Sequence, residues 1–162
     1  MGRDRKGFKK SPEIDLGFLG EHVGFQVHIA RRALRQAMRA FRPAYDLPGG
    51  GTPPPSGTMS SLALIGFNPG ISQQEIAAAL FLDPSKATVL IKNVASAGLI
   101  EKRRAEDDRR RIALYLTAEG REMLEKIGML SAAQEDRIGR GLSPVERRQL
   151  IALLIKLQDT LR

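Results

Sequence analysis

The chain has 162 residues, 42% apolar but only 5% aromatic and without tryptophan, which is enough for one domain with an aliphatic, helix-prone core. Its formal net charge of +8 points to polyanionic partners, and the absence of cysteine excludes disulfides, thiolate catalysis and cysteine-based metal or redox sites. No apolar run approaches the length of a membrane span and no apolar core follows the basic N-terminus, so a soluble cytoplasmic protein with no membrane partner is expected.

Residues 1–12 are basic and polar: Arg3, Arg5, Lys6, Lys9 and Lys10 outweigh Asp4, as in a flexible tail. From about Ile14 onward, Leu16, Leu19, Val23, Val27, Ala30, Leu34, Ala37 and Phe41 recur at three- and four-residue steps, which predicts one long helix over 14–42. The stretch YDLPGGGTPPPSG, residues 45–57, can only be a loop, and neither side of it has a complete core of its own, so 13–162 reads as a single domain. A short helix is expected over 59–67, then the turn NPG at 68–70. In SQQE, residues 72–75, Ser72 and Glu75 have the spacing of a capping box, and they open a helix to about Leu80. Asp83 is placed to cap the next helix, with Pro84 at its first position, and Gly98 is its expected terminator.

Two short helices joined by about three residues are the signature of a helix-turn-helix. Residues 99–105 and 112–117 follow as two strands, the second alternating Ile112, Leu114 and Leu116 with Ala113, Tyr115 and Thr117. Between them lies EDDRRR, so a dense charge cluster forms the tip of a β-hairpin and projects away from the core. Thr117 is expected to open a helix to about Ile138. In SPVE, residues 143–146, a second capping box opens a last helix whose Val145, Leu150, Leu153, Leu154, Leu157 and Leu161 form an apolar stripe. The fold class is therefore mainly α with a small β-hairpin wing: a winged helix-turn-helix lobe over 58–117 between long terminal helices.

The stretch GLIEKRRAEDDRRRIALYLTAEG carries a family resemblance. Gly98-Leu99 closes one helix, Asp108-x-Arg110 lies in the wing, and Leu116-Thr117-x-x-Gly120 ends the second strand. With the preceding helix-turn-helix, this resembles the MarR family of transcriptional regulators, tightly over 71–120 and in architecture over about 16–161. The resemblance implies a homodimer formed by the terminal helices (14–42 and 118–162) and bound to pseudo-palindromic double-stranded DNA. It also implies a repressor released by a small-molecule effector held between the first, second and fifth helices. Val89 stands where the family commonly carries a base-contacting arginine, so the family's base preferences are not carried over.

The expected DNA-binding residues are Gln73, Ser85, Lys86, Thr88 and Lys92 on the two short helices, where hydroxyls and ammonium groups meet phosphates or base edges. Asp108, Arg109, Arg110 and Arg111 join them on the wing, with Arg110 in the minor groove. The expected effector set is Phe25, His28, Arg32, Leu62 and Met129. Arg31, Arg35 and Arg39 lie at i, i+4 and i+8, with Arg32 and Arg42 nearby; such a stripe suits the carboxylate of an aromatic acid or the phosphates of its CoA thioester. The bland reading of the same stripe is a solvated helix face. No metal-ligand spacing, catalytic triad or phosphate loop is present, so neither a cofactor nor an enzyme is expected. The rival reading is an architectural or protein-binding winged helix with no effector.

Overall fold

The computed structural model describes residues 14–38, 57–105 and 111–161. The expected basic tail, and the 45–57 loop apart from Gly57, lie outside them. The chain divides into two compact units between Arg39 and Ala40, and each is described by itself.

In the first unit the single helix expected from Ile14 is instead a 3-10 turn, Gly17–Glu21, followed by α1, Val23–Met38. Gly17 has φ +50, and its N–H is drawn to the Asp15 carboxylate at 2.8 Å. His22 is extended. A left-handed residue and an extended one cannot carry an α-helix through, so the apolar periodicity of 14–22 continues without helical continuity.

In the second unit the elements follow the expected order within a residue or two. They are α2 (Thr58–Phe67), α3 (Gln73–Ala79), α4 (Pro84–Ser96), β1 (Ile100–Arg104), β2 (Ile112–Leu116), α5 (Ala118–Gly139) and α6 (Pro144–Thr160). Gly57 starts α2 at φ +96, a conformation that favours glycine. Both capping boxes are formed: Ser72 Oγ accepts from the Glu75 N–H, Ser143 Oγ from that of Glu146, and each glutamate reaches back to its serine N–H. At the end of α4, Leu99 N–H bonds Val94 O and Gly98 N–H bonds Ala95 O, with Gly98 at φ +73. This is the Schellman arrangement that the glycine predicts.

The core of the lobe joins Leu62 and Ile65 of α2, Ile76 of α3, Leu90, Ile91 and Val94 of α4, Leu99, Leu114 and Leu116 of the wing, and Met123 and Ile127 of α5. Each such burial contributes about 1.5–3 kcal/mol. β1 and β2 pair antiparallel, with Lys102 opposite Leu114. Gly70 N–H also bonds Leu114 O at 2.9 Å, and Leu114 N–H bonds Ile71 O at 3.0 Å, so the turn before α3 is stitched to the wing. The start of α5 explains the Leu-Thr-x-x-Gly ending. Thr117 Oγ1 donates to Gly98 O at 2.7 Å and accepts from the Gly120 N–H at 3.0 Å, and a Cβ on Gly120 would stand 2.0 Å from Leu99 O. Only glycine lets α5 come this close to the end of α4.

Candidate nucleic-acid interface

α4 owes its two faces to its sequence. Ala87, Leu90, Ile91 and Val94 are buried, which turns Ser85, Val89, Lys92 and Ser96 to the opposite side by helical geometry. All four are exposed. Ser85 and Lys92 make no side-chain hydrogen bond with another described residue, so both are available to a ligand. The other expected contacts on these helices are already engaged. Gln73 Nε2 donates to Thr88 Oγ1 at 2.8 Å, and that hydroxyl donates to Pro84 O at 2.8 Å; this side-chain bond braces α3 against α4. Asp83 is the N-cap residue, but its carboxylate makes no cap hydrogen bond. It pairs with Lys86 at 2.5 Å across an exposed surface. The hydrogen bond and charge of Lys86 hold the Asp83 carboxyl below its ordinary value. Lys86 is therefore already engaged by Asp83, whereas Lys92 has no such partner among the described residues.

The wing tip, with Asp108, Arg109 and Arg110, lies outside the described residues. Arg111 is half-buried, and its Nη1 donates to Gly70 O at 3.0 Å. Its charge also helps to hold the Glu75 carboxyl below its usual value, after the larger effect of the Ser72 hydroxyl and backbone N–H. Arg111 thus braces the root of the wing. Up β1, Lys102, Arg103 and Arg104 are exposed. Arg103 pairs with Glu101 and lies 4.9 Å from the Tyr115 ring centre, leaving Lys102 and Arg104 to extend positive charge along the strand. The concentration of arginine at the tip hides these two in the sequence; their signal is the run EKRR on a short strand.

The expected effector residues fall in both units. On α1, Phe25 is half-buried, and His28 and Arg32 are exposed. His28, Arg31, Arg32, Arg35 and Gln36 line a cleft of about 510 Å³, so the arginine stripe borders open space. In the second unit Met129 is 69% exposed, whereas Leu62 is fully buried. Leu62 is part of the lobe core. Gln134 of α5 carries no signal in the sequence that singles it out: it is buried, and its Nε2 has no partner among the described residues. No group of three or more potential metal ligands occurs among those residues, and no helix among them is long and apolar enough to cross a membrane.

Comparison with known proteins places this geometry. The model of the MarR family matches residues 54–111. A proposed transcriptional regulatory protein for the hcr operon of Thauera aromatica is 32% identical over 145 residues, covering 90% of this chain and 84% of its own. The solved structure of the transcriptional repressor CouR bound to a 23-mer DNA duplex has a TM-score of 0.74 at 26% identity, covering 90% of this chain and 99% of that one. The PcaV transcriptional regulator of Streptomyces coelicolor, solved with its natural ligand, has a TM-score of 0.68 at 21% identity, covering 92% and 100%. That last likeness is one of fold.

Proposed function

Because this chain belongs to the MarR family, and so is a winged-helix DNA-binding transcriptional regulator rather than an enzyme, we propose that it is a homodimeric repressor whose hold on a pseudo-palindromic operator is released by a small anionic effector. In this reading α1, α5 and α6 pair with those of a second copy, and residues 13–162 act in the cytoplasm as one domain. The two α4 helices enter successive major grooves about one helical turn apart, with Ser85 and Lys92 foremost. Asp108, Arg109 and Arg110 reach the flanking minor grooves from the wing that Arg111 braces. Phosphate neutralisation supplies much of the affinity, which therefore falls steeply with salt.

The observation that carries the effector is the α1 cleft. Three arginines and His28 along one helix face, bordering open space, suit a carboxylate or phosphates, because guanidinium groups form strong paired hydrogen bonds with both. The effector is then an aromatic acid or its CoA thioester. An effector acts only if it binds one spacing of the recognition helices better than the other.

The test is a thermal-shift titration with free aromatic acids and, separately, their CoA thioesters, followed by DNA release measured by fluorescence anisotropy. A ligand that prefers the folded state must raise the melting temperature. A shift and release with thioesters alone assigns Arg31, Arg32 and Arg35 to the phosphates, whereas a shift with free acids assigns one of them to the carboxylate. No shift and no release with either panel sinks the anionic effector and favours an architectural protein without one.

A further inference from the structure

The outward face of α4 has an apolar centre. Val89 is 59% exposed and follows Ser85 by four residues and precedes Lys92 by three, so the three side chains form one neighbouring row. The row is bounded by the Thr88–Gln73 hydrogen bond on one side and the Lys86–Asp83 pair on the other. A branched hydrocarbon at the middle of a polar, solvent-facing row contributes nothing to the core of the lobe, which Ala87, Leu90, Ile91 and Val94 complete without it. Its two methyl groups are open to an apolar group brought to that face.

In the major groove, one base edge offers such a group. Thymine carries a C5-methyl, whereas cytosine has only a C5–H beside its N4 donor and the purine edges present N7 with O6 or N6; no other base offers a methyl group there. Valine cannot hydrogen-bond a base, and each groove acceptor or donor placed against it loses water without replacement. We infer that Val89 is a base-reading residue of this chain, selecting a thymine in each half-site by contact with its methyl group, while Ser85 and Lys92 beside it hold the polar base edges and phosphates. The inference rests on the proposed entry of α4 into the major groove. It adds a position of sequence selection that charge alone does not provide.

The test uses the full-length protein. Duplexes are selected from a random pool with the wild type and with Val89→Ser, which is not expected to disturb the fold because the side chain is exposed. The selected wild-type site is then remade with deoxyuridine replacing each thymine in turn, removing one methyl and nothing else. The wild type should lose about three- to fourfold in affinity per half-site at one symmetric thymine position, the value of burying one methyl-sized group. Val89→Ser should bind the uracil and thymine duplexes equally, and its own selected sites should lose the preference at that position. If the wild type enriches a site but tolerates uracil at every thymine, or if Val89→Ser keeps the full uracil penalty, the inference is overturned while the operator reading stands. If no sequence is enriched at all, both fall together.

Discussion

α4 and α6 are each opened by proline at the first helical turn, and each carries an apolar stripe, yet they end differently. α4 buries Ala87, Leu90, Ile91 and Val94 in the lobe. α6 buries no residue, and Leu150, Ile151, Leu153, Leu154 and Ile155 all remain exposed. The difference is one of supply: α2, α3 and β1 pack on α4, whereas among the described residues of this unit nothing buries the stripe of α6. A stripe of that size rarely stays in water. The lobe has its own core in one chain, whereas the stripe of α6 is left exposed, which is the physical reason for proposing that a second copy covers it.

That contrast can be broken most severely from the lobe side. Gly120→Ala places a methyl against Leu99 O, backbone that cannot swing aside, and should cost about 3 kcal/mol of stability in thermal unfolding. Gly128→Ala, on the same helix with nothing within 4 Å of the added carbon, should be neutral or stabilising; equal losses in the two variants would refute the close approach. On the other side, Leu153→Asp, at a position 64% exposed, should leave the far-ultraviolet dichroism of the chain intact. Dimer dissociation, read by sedimentation equilibrium, should strengthen by about 2 kcal/mol or more; an unchanged dissociation constant would show that α6 is not half of an interface.

A smaller effect separates the two lysines of α4. Lys92→Ala should lower the slope of log affinity against log salt by about one per subunit. Lys86→Ala should lower it less, because Asp83 already neutralises that charge. Equal slope changes would mean that the pair opens completely on DNA. The smallest effect is on pH. The Ser72 hydroxyl and N–H hold Glu75 below the ordinary glutamate value of 4.5, and Ser143 does the same for Glu146. Because the folded state favours the charged carboxylate, the stabilisation is fully present above 4.5 and is lost as pH falls through the lower folded value. Glu75→Gln, which keeps the capping geometry, should flatten this part of the melting-temperature profile; a profile parallel to that of the wild type would remove the glutamate as its source.

The readable parts of the fold are those decided within a few residues. Ser72 with Glu75, Ser143 with Glu146, Pro84, and Gly98 each act on their own turn, so the sequence places the ends of α3, α4 and α6 correctly. Residues 14–22 show where that reading fails. The apolar spacing of Leu16 and Leu19 is helical, but Asp15 and Gly17 together divert the backbone, and periodicity does not record hydrogen bonds of that kind. In the interface, the exposed faces of Ser85 and Lys92 were legible from the spacing of their buried neighbours. The partners of the other polar residues were not. Gln73 and Thr88 are fifteen residues apart, and Arg111 and Gly70 forty-one, distances over which only the folded chain brings groups together. The complete burial of Leu62 was not legible either, because a leucine on a short helix looks the same in sequence whether it is exposed or buried.

The Arg111–Gly70 bond and the backbone stitching of 70–71 to Leu114 weld the wing root to the helix-turn-helix. Like one jaw of a calliper, such a piece would meet its half of a duplex, or leave it, as one unit. In a dimer, mis-spacing the two jaws would release one half-site as a block, removing roughly half of the contact free energy at once and with it the avidity that joined the halves. A modest change in the gap between the jaws would then be amplified into a large change in occupancy, without either jaw altering its shape.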